Sequence, residues 1–465
     1  MQLPSDYSLK LCETIAAWRY EQLPPATVQT VKRIILDALG VIGGAGRAPG
    51  IRELNGRLSR WERTGSATGL IGKRAYSPPT AALANGAAAH ALDFDDIHDA
   101  SRVHSACVVL PAVLAIAEDA GPLSGRDFIV AMAIGLELHA RLGLACVNSL
   151  AVGWHPTPVF GGLAASVAAG HLLKLDADRL RNALGIAFHQ ASGSIQSAFD
   201  GVITKRLGPG FAARDAVTSA FLAADGLTGT REPLEGKAGF FNLYARGDVQ
   251  PALLTDDLGT LWRIDEFSFK PYPGCRCSHA AIAQGIKLHN EGLSAAAVES
   301  IEIRMSEENW KLVGMPYDVT RGSEVHAQFN AAYGFSHALT YGGVMLASFE
   351  RPAINELHVA ALAGKTRVIT DASMARNAIA PVAIELRMRG GQIIQRYGKT
   401  IKGSPDEPMT DRDMLDKLRG CLAFGLNAPP LAADRLADVV SSIDETTDAG
   451  GAIVAAFPIA FSSTR

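Results

Sequence analysis

Apolar residues recur at intervals of three and four over residues 8–18 and 25–39, the spacing of helices with one buried face. Pro24 and Pro25 suit the start of the second helix, and Gly40, Gly43 and Gly44 suit its end. Residues 64–79 are turn-rich. Beyond them the polar face disappears: 81–89 (AALANGAAA) and 107–117 (CVVLPAVLAIA) read as helices buried on all sides. Ser124 precedes a long helix over 125–147, where Glu137 and Arg141 are spaced for an i,i+4 ion pair. Small residues dominate 153–175 after Gly161, so that helix can approach a neighbour closely, and 176–201 repeats the theme. A basic turn over 204–210 (TKRLGPG) leads into a small-residue helix over 211–224, and up to about residue 261 almost nothing reads as strand.

The period changes near Phe267. Residues 298–305 (VESIEIRM) alternate apolar and charged, and 383–397 (AIELRMRGGQIIQRY) read as two short strands around Gly390-Gly391. From Met409 the text is helical again, with Thr410 and Asp413 spaced as a capping box. The pattern predicts a mainly α fold. A discontinuous all-helical domain takes 1–266 and the returning 403–465, and a smaller α+β domain takes 267–402.

Composition narrows this reading. At 465 residues the chain has room for two or three domains. Apolar content of 48% with only 7% aromatics suits closely packed, small-residue helices. A net charge of −3 gives no field to attract nucleic acid or an anionic membrane, so an anionic substrate needs a local basic pocket. The six cysteines are scattered, with only Cys275 and Cys277 close together, which fits reduced thiols in a cytoplasmic protein. The first residues carry no basic start followed by an apolar run, so no signal peptide is expected. The apolar run 128–143 is broken by Glu137, His139 and Arg141, so no membrane span is expected either.

The candidate chemistry centres on residues 90–106, HALDFDDIHDASRVHSA. Asp93, Asp95, Asp96, His90, His98 and His104 fall within fifteen residues between two buried helices, where low dielectric strengthens their charges. Asp99 and Ser101 read as helix-capping loop residues. Four later segments also set polar groups in apolar surroundings. They are His155 at the head of a small-residue helix; Lys205-Arg206 between glycines; 270–279 (KPYPGCRCSH); and 328–337 (QFNAAYGFSH), which holds Tyr333. The third lies where helical text gives way to strands, the place for an interdomain cleft. Its C-x-C-x-H invites a metal reading, but no second ligand pair matches it, so neither metal nor cofactor is expected. Nucleotide-binding glycine loops and a G-x-S-x-G elbow are absent from the sequence. The inventory suits cofactor-free proton transfer on a small polyanion, with His, Lys or Tyr moving the proton. Two other classes stay open: a metal-dependent hydrolase using His90, Asp93, Asp95 and His98, and a helical binding protein without turnover.

Six blocks in order resemble the MmgE/PrpD family over nearly the whole chain: AALANGAAAHALDFDD, VHSACVVLPAVLAIAE, GWHPTPVFGGLAASVAAGHLLKLD, KRLGPGFAARDA, LEGKAGFF and FKPYPGCRCSHAAI. The resemblance implies a large helical domain built from both chain ends and a smaller α+β lid. It also implies a homodimer, no metal or organic cofactor, and a small di- or tricarboxylate bound between the domains. By position it implies site roles for Asp93, His104, His155, Lys205, Lys270 and Tyr333. The basic segments add Arg206, Cys275, Arg276 and His279 as substrate-binding candidates. His104 and His155 are the expected proton carriers, Lys205, Lys270 and Arg276 the cations for an enolate-like charge, and Tyr333 a donor to a substrate carboxylate. Asp93 is expected to orient a histidine. Ile97 and Cys275 stand where the vertebrate type of cis-aconitate decarboxylase has Thr and His, and the chain looks more like the fungal type. The first expectation is therefore a cis-aconitate-decarboxylase-like lyase. An epimerase of a dicarboxylate such as iminodisuccinate comes next, and a 2-methylcitrate-dehydratase-like hydro-lyase third.

Overall fold

The computed structural model describes residues 6–148 and 153–460. Its largest hydrophobic core joins side chains from Tyr7 through Phe269 with others from Met409 through Phe457. A second core runs from Cys275 to Ile401 and backs the main sheet. The fold is mainly α with a smaller α+β part, as the periodicity predicts.

Small residues set the packing around the site. The Pro78–His90 and Thr204–Ala224 helices cross at Gly86 and Gly210, where a Cβ on Gly86 would lie 2.9 Å from the Gly210 Cα. That approach brings Lys205 to His90. The expected turn over 204–210 is instead the first part of a continuous helix, with Pro209 inside it. Proline supplies no N–H to the carbonyl four residues back, that of Lys205. Gly40 and Gly43 do not end their helix, which runs Pro25–Gly44. They admit the returning Asp411–Leu426 helix: a Cβ on Gly43 would fall 2.3 Å from Leu422 Cδ2.

The returning helix is capped as its sequence predicts. Thr410 Oγ1 accepts from Asp413 N at 3.1 Å, and Asp413 accepts from Thr410 N at 2.8 Å. From this helix Lys417 reaches inward, pairs with Asp37 at 2.6 Å and donates to the Phe94 carbonyl at 2.7 Å. The C-terminal segment thus braces the loop that carries Asp93, Asp95 and Asp96.

Helix Gly125–Ala145 is long and apolar enough to cross a membrane, yet it is enclosed by protein on all sides. Its Glu137–Arg141 pair, 2.6 Å apart, is fully buried. Arg141 also donates to the carbonyls of Leu253, Asp256, Asp257 and Leu261, and Glu137 accepts from Ile264 N. The pair ties this helix to the segment leading into the domain junction. Arg141→Met leaves Glu137 a buried, uncompensated carboxylate. It is expected to lower unfolding stability by about 3–5 kcal/mol, read by denaturant titration; a loss under 1 kcal/mol would contradict this role.

The main sheet has the order Thr366–Thr370, Val298–Met305, Val382–Met388, Ile393–Gly398, with the first pair parallel and the others antiparallel. The expected hairpin at Gly390-Gly391 is present, and Gly391 takes the left-handed backbone (φ 81°) that its turn requires. The edge strand Thr366–Thr370 and two small pairings escape the sequence reading. Ala67–Gly69 pairs with Arg74–Tyr76 inside the region read as turns, and Ile97–His98 pairs with Phe267–Ser268. The second pins the 90–106 stretch to the residues just before KPYPGCRCSH.

Candidate active site

Asp93 holds the centre. Its backbone is left-handed (φ 52°), a conformation that aspartate enters more readily than most residues. The Asp93 carbonyl accepts from Gly274 N at 3.0 Å and from Lys270 Nζ at 2.9 Å. Its carboxylate lies between two ammoniums, Lys205 Nζ at 2.8 Å and Lys270 Nζ at 2.9 Å. All three side chains are buried. Burial pushes the Asp93 pKa up, but Lys205 and then Lys270 outweigh it and hold the carboxyl well below its usual range. Burial likewise opposes the charge on Lys270, and Asp93 with Asp95 reverses the shift and raises its pKa. Two ammoniums share one carboxylate, a cradle that still attracts an anion.

A second chain of bonds meets the first at Lys205. Asp95 Oδ2 accepts from His90 Nδ1 at 2.7 Å, which leaves His90 Nε2 to accept from Lys205 Nζ at 2.8 Å. The Asp96 carbonyl takes the Nδ1 proton of His104 at 2.7 Å, so Nε2 carries that ring's lone pair. Burial lowers the His104 pKa to about 3 against the partial opposition of Asp95. Burial and then the Lys205 charge hold His155 well below the imidazole range. Both rings are therefore neutral at pH 7. The Asp96 carboxylate caps helix Ala106–Asp119 through Ser105 N and Ala106 N. Burial, then the charges of Asp95 and Asp37, raise it to about 8.

Some of these groups line a cavity of about 60 Å³ between the helical part and the α+β part. Asp93, His104, His155 and Lys205 line it from one part, and Cys275, Arg276, Cys277 and Phe329 from the other, with Arg102 beside them. Lys205 Nζ sits 5.0 Å from the centre of the Phe329 ring, a cation–π contact. Lys270 reaches the cradle from beneath, through Asp93.

Several of the expected residues are placed differently from the expectation. The Asp93 carboxylate bonds two lysines and, among the described residues, no histidine; Asp95 orients His90, and the Asp96 carbonyl orients His104. Arg206 points away from the cavity, donating to the Pro49 carbonyl at 2.9 Å and to Glu324 at 3.2 Å. Neighbours on a helix diverge by about 100°, so Lys205 and Arg206 cannot share a ligand. Tyr333 donates its hydroxyl to the Ser348 carbonyl and packs in a separate lid cluster. His279 is buried against Tyr272, away from the cavity lining. Arg276 lines the cavity, but its guanidinium is turned to Asp99 and the Lys402 carbonyl. His98 bonds Glu266 at 3.1 Å, so the ligand set His90, Asp93, Asp95 and His98 is not assembled. His90, Asp95 and Cys107 do converge, with ligand atoms within 4.8 Å of one another. There the His90 ring already spans Asp95 and an ammonium, an arrangement for holding protons rather than a cation.

Sequence reasoning singled out neither Arg102 nor Phe329. Arg102 had a signal, because it lies inside the 90–106 stretch; its left-handed backbone (φ 57°) aims it into the cavity.

Comparison with known proteins agrees with the geometry. The MmgE/PrpD N-terminal domain profile matches residues 9–252, and the C-terminal domain profile matches residues 272–442. The chain is 29% identical to the cis-aconitate decarboxylase-like protein oryM of Aspergillus oryzae, covering 94% of this chain and 95% of that protein. It is 26% identical to a cis-aconitate decarboxylase of Aspergillus terreus over 95% of this chain and 96% of that one. It is 28% identical to the human (Homo sapiens) cis-aconitate decarboxylase over 85% of this chain and 84% of that one. With both profiles matched over most of its length, the chain belongs to the MmgE/PrpD family of enzymes.

Proposed function

We propose that this enzyme is a cofactor-independent lyase that decarboxylates a small unsaturated tricarboxylate of the cis-aconitate type. The observation that carries the reading is the cradle: two buried ammoniums share one carboxylate beside two neutral imidazoles. The reaction breaks the bond between carbon and the departing carboxylate. CO2 leaves, and the electron pair passes into the conjugated alkene and a remaining carboxylate. A proton then closes the carbon. Lys205 and Lys270 hold the charge that develops, in a site where few waters compete. Arg102 holds a second carboxylate at the lid side. His104, with its Nε2 free of internal bonds, and His155 move the proton. The cis-aconitate decarboxylases among the similar proteins support the same substrate class.

The imidazoles are neutral in the empty site, so one must gain a proton before it can donate one. A bound tricarboxylate brings negative charge to within a few ångströms and raises their pKa. Binding is therefore expected to take up a proton between pH 6 and 8 and to weaken as pH rises. Calorimetry of substrate-analogue binding in two buffers of different ionisation enthalpy measures this, and equal heats in both would contradict it.

Proton NMR in D2O with a panel of di- and tricarboxylates tests the reaction type. Decarboxylation gives a product with one less carboxylate and deuterium at one carbon. Inversion with exchange at an unchanged skeleton would mark an epimerase, and a new alkene with loss of water a hydro-lyase. Activity is expected to persist in chelator. Loss of activity restored by one divalent ion would overturn the cofactor-free reading.

A further inference from the structure

The decarboxylation leaves two cavity groups unused, the thiols of Cys275 and Cys277. We propose that they form a peroxide-reactive site, in which the Cys277 thiolate attacks the peroxide and Cys275 resolves the resulting sulfenic acid to a Cys275–Cys277 disulfide. This stands on the cavity and not on the reaction assigned to it.

Four observations carry the inference. Both residues line the cavity, so a molecule as small as hydrogen peroxide meets them there. Arg102 Nη1 lies 3.8 Å from Cys277 Sγ, and the same guanidinium is fixed by Nη2 on the Asn377 carbonyl at 3.0 Å. The Cys275 thiol bonds to the Cys277 sulfur; burial opposes the thiolate, Arg102 adds to its support, and the balance brings Cys277 down to about 7. The same bond and burial push Cys275 well above the thiol range, so the two thiols have different roles. The fourth is connectivity. Residues two apart stay within about 7 Å at Cα, close to the span of a disulfide. A lowered thiol beside a second thiol is the usual arrangement of a peroxide-sensitive pair. All six cysteines are buried; Cys12, Cys107, Cys146 and Cys421 lie outside this cavity and burial raises each of them, so they make internal controls.

The chemistry balances with hydrogen peroxide as oxidant. The Cys277 thiolate attacks one peroxide oxygen, the O–O bond breaks, and hydroxide leaves to become water. Cys277 is then a sulfenic acid. The Cys275 sulfur displaces its hydroxyl, the S–S bond forms, and the Cys275 thiol proton leaves with that hydroxyl as water. In total two thiols and one peroxide give a disulfide and two waters.

The test treats the whole enzyme with a small excess of hydrogen peroxide, alkylates the remaining thiols and digests with trypsin. Trypsin cuts after Arg276, so the expected product is a cross-link joining the peptides on either side of that residue. It should be lost on treatment with dithiothreitol. Cys275→Ser should accumulate a dimedone-reactive sulfenic acid on Cys277. Arg102→Gln should slow the wild-type cross-link by roughly tenfold at pH 7. The proposal is overturned if wild-type enzyme forms no such cross-link while Cys12 or Cys421 oxidises, or if the cross-link forms at the same rate without Arg102.

Discussion

Replacing His104 or His155 with Gln is expected to lower turnover by roughly 10²–10⁴, the usual loss when a general acid or base is removed. Binding of the polycarboxylate should weaken much less, because Lys205 and Lys270 keep their places on Asp93. The effect on folding should also be small. Both rings are neutral in the folded enzyme, so no buried charge is stranded when they are replaced. Glutamine can reproduce the bond from His104 Nδ1 to the Asp96 carbonyl, but it cannot take and return a proton at neutral pH. Turnover and melting temperature measured on the same preparations separate site from core. If both variants melt early yet retain activity per folded molecule, the histidines are packing residues.

Asp93→Asn should be costly in a different way. It removes the one carboxylate that two buried ammoniums share and leaves them facing each other. The expected loss of stability is about 3–5 kcal/mol, the range for a broken buried pair, together with loss of turnover. The pH dependence identifies the cause. In the variant, Lys205 and Lys270 are buried without their partner and lose protons in the folded state that the unfolded chain keeps. The unfolded state then binds more protons, so the variant's stability rises with pH toward 9. In the wild type Asp93 keeps Lys270 charged, and stability gains nothing from this source over that window. Denaturant titrations at pH 7 and 9 make the comparison. A variant whose stability shows no more rise than wild type would mean that the ammoniums do not depend on Asp93.

Periodicity made three strands of the main sheet legible, though not the edge strand Thr366–Thr370. Val382–Met388 alternates buried and less buried positions because one face meets the lid core, and that alternation is written in the residues. The 90–106 stretch was legible for another reason: its charges sit between runs with no polar face, so they had to be buried together. Which carboxylate meets which base was not legible. Asp93, Asp95 and Asp96 lie within four positions, yet one meets two lysines, one meets His90 and one caps a helix. A left-handed backbone at Asp93 sorts them, and tertiary contacts hold it there. Lys205 and Arg206 were indistinguishable as a basic turn; only the helix that begins at Thr204 parts them. Tyr333 shows the same limit, because its hydroxyl is occupied by a carbonyl fifteen positions away.

The measurement that bears most directly on the proposed reaction is CO2 release from cis-aconitate labelled with ¹³C in its carboxylates, followed by mass spectrometry in metal-free buffer. The expected result is one CO2 for each cis-aconitate consumed by the wild type, with release reduced by roughly 10²–10⁴ in His104→Gln. Consumption of cis-aconitate without CO2, or no consumption by folded enzyme, would contradict the assignment.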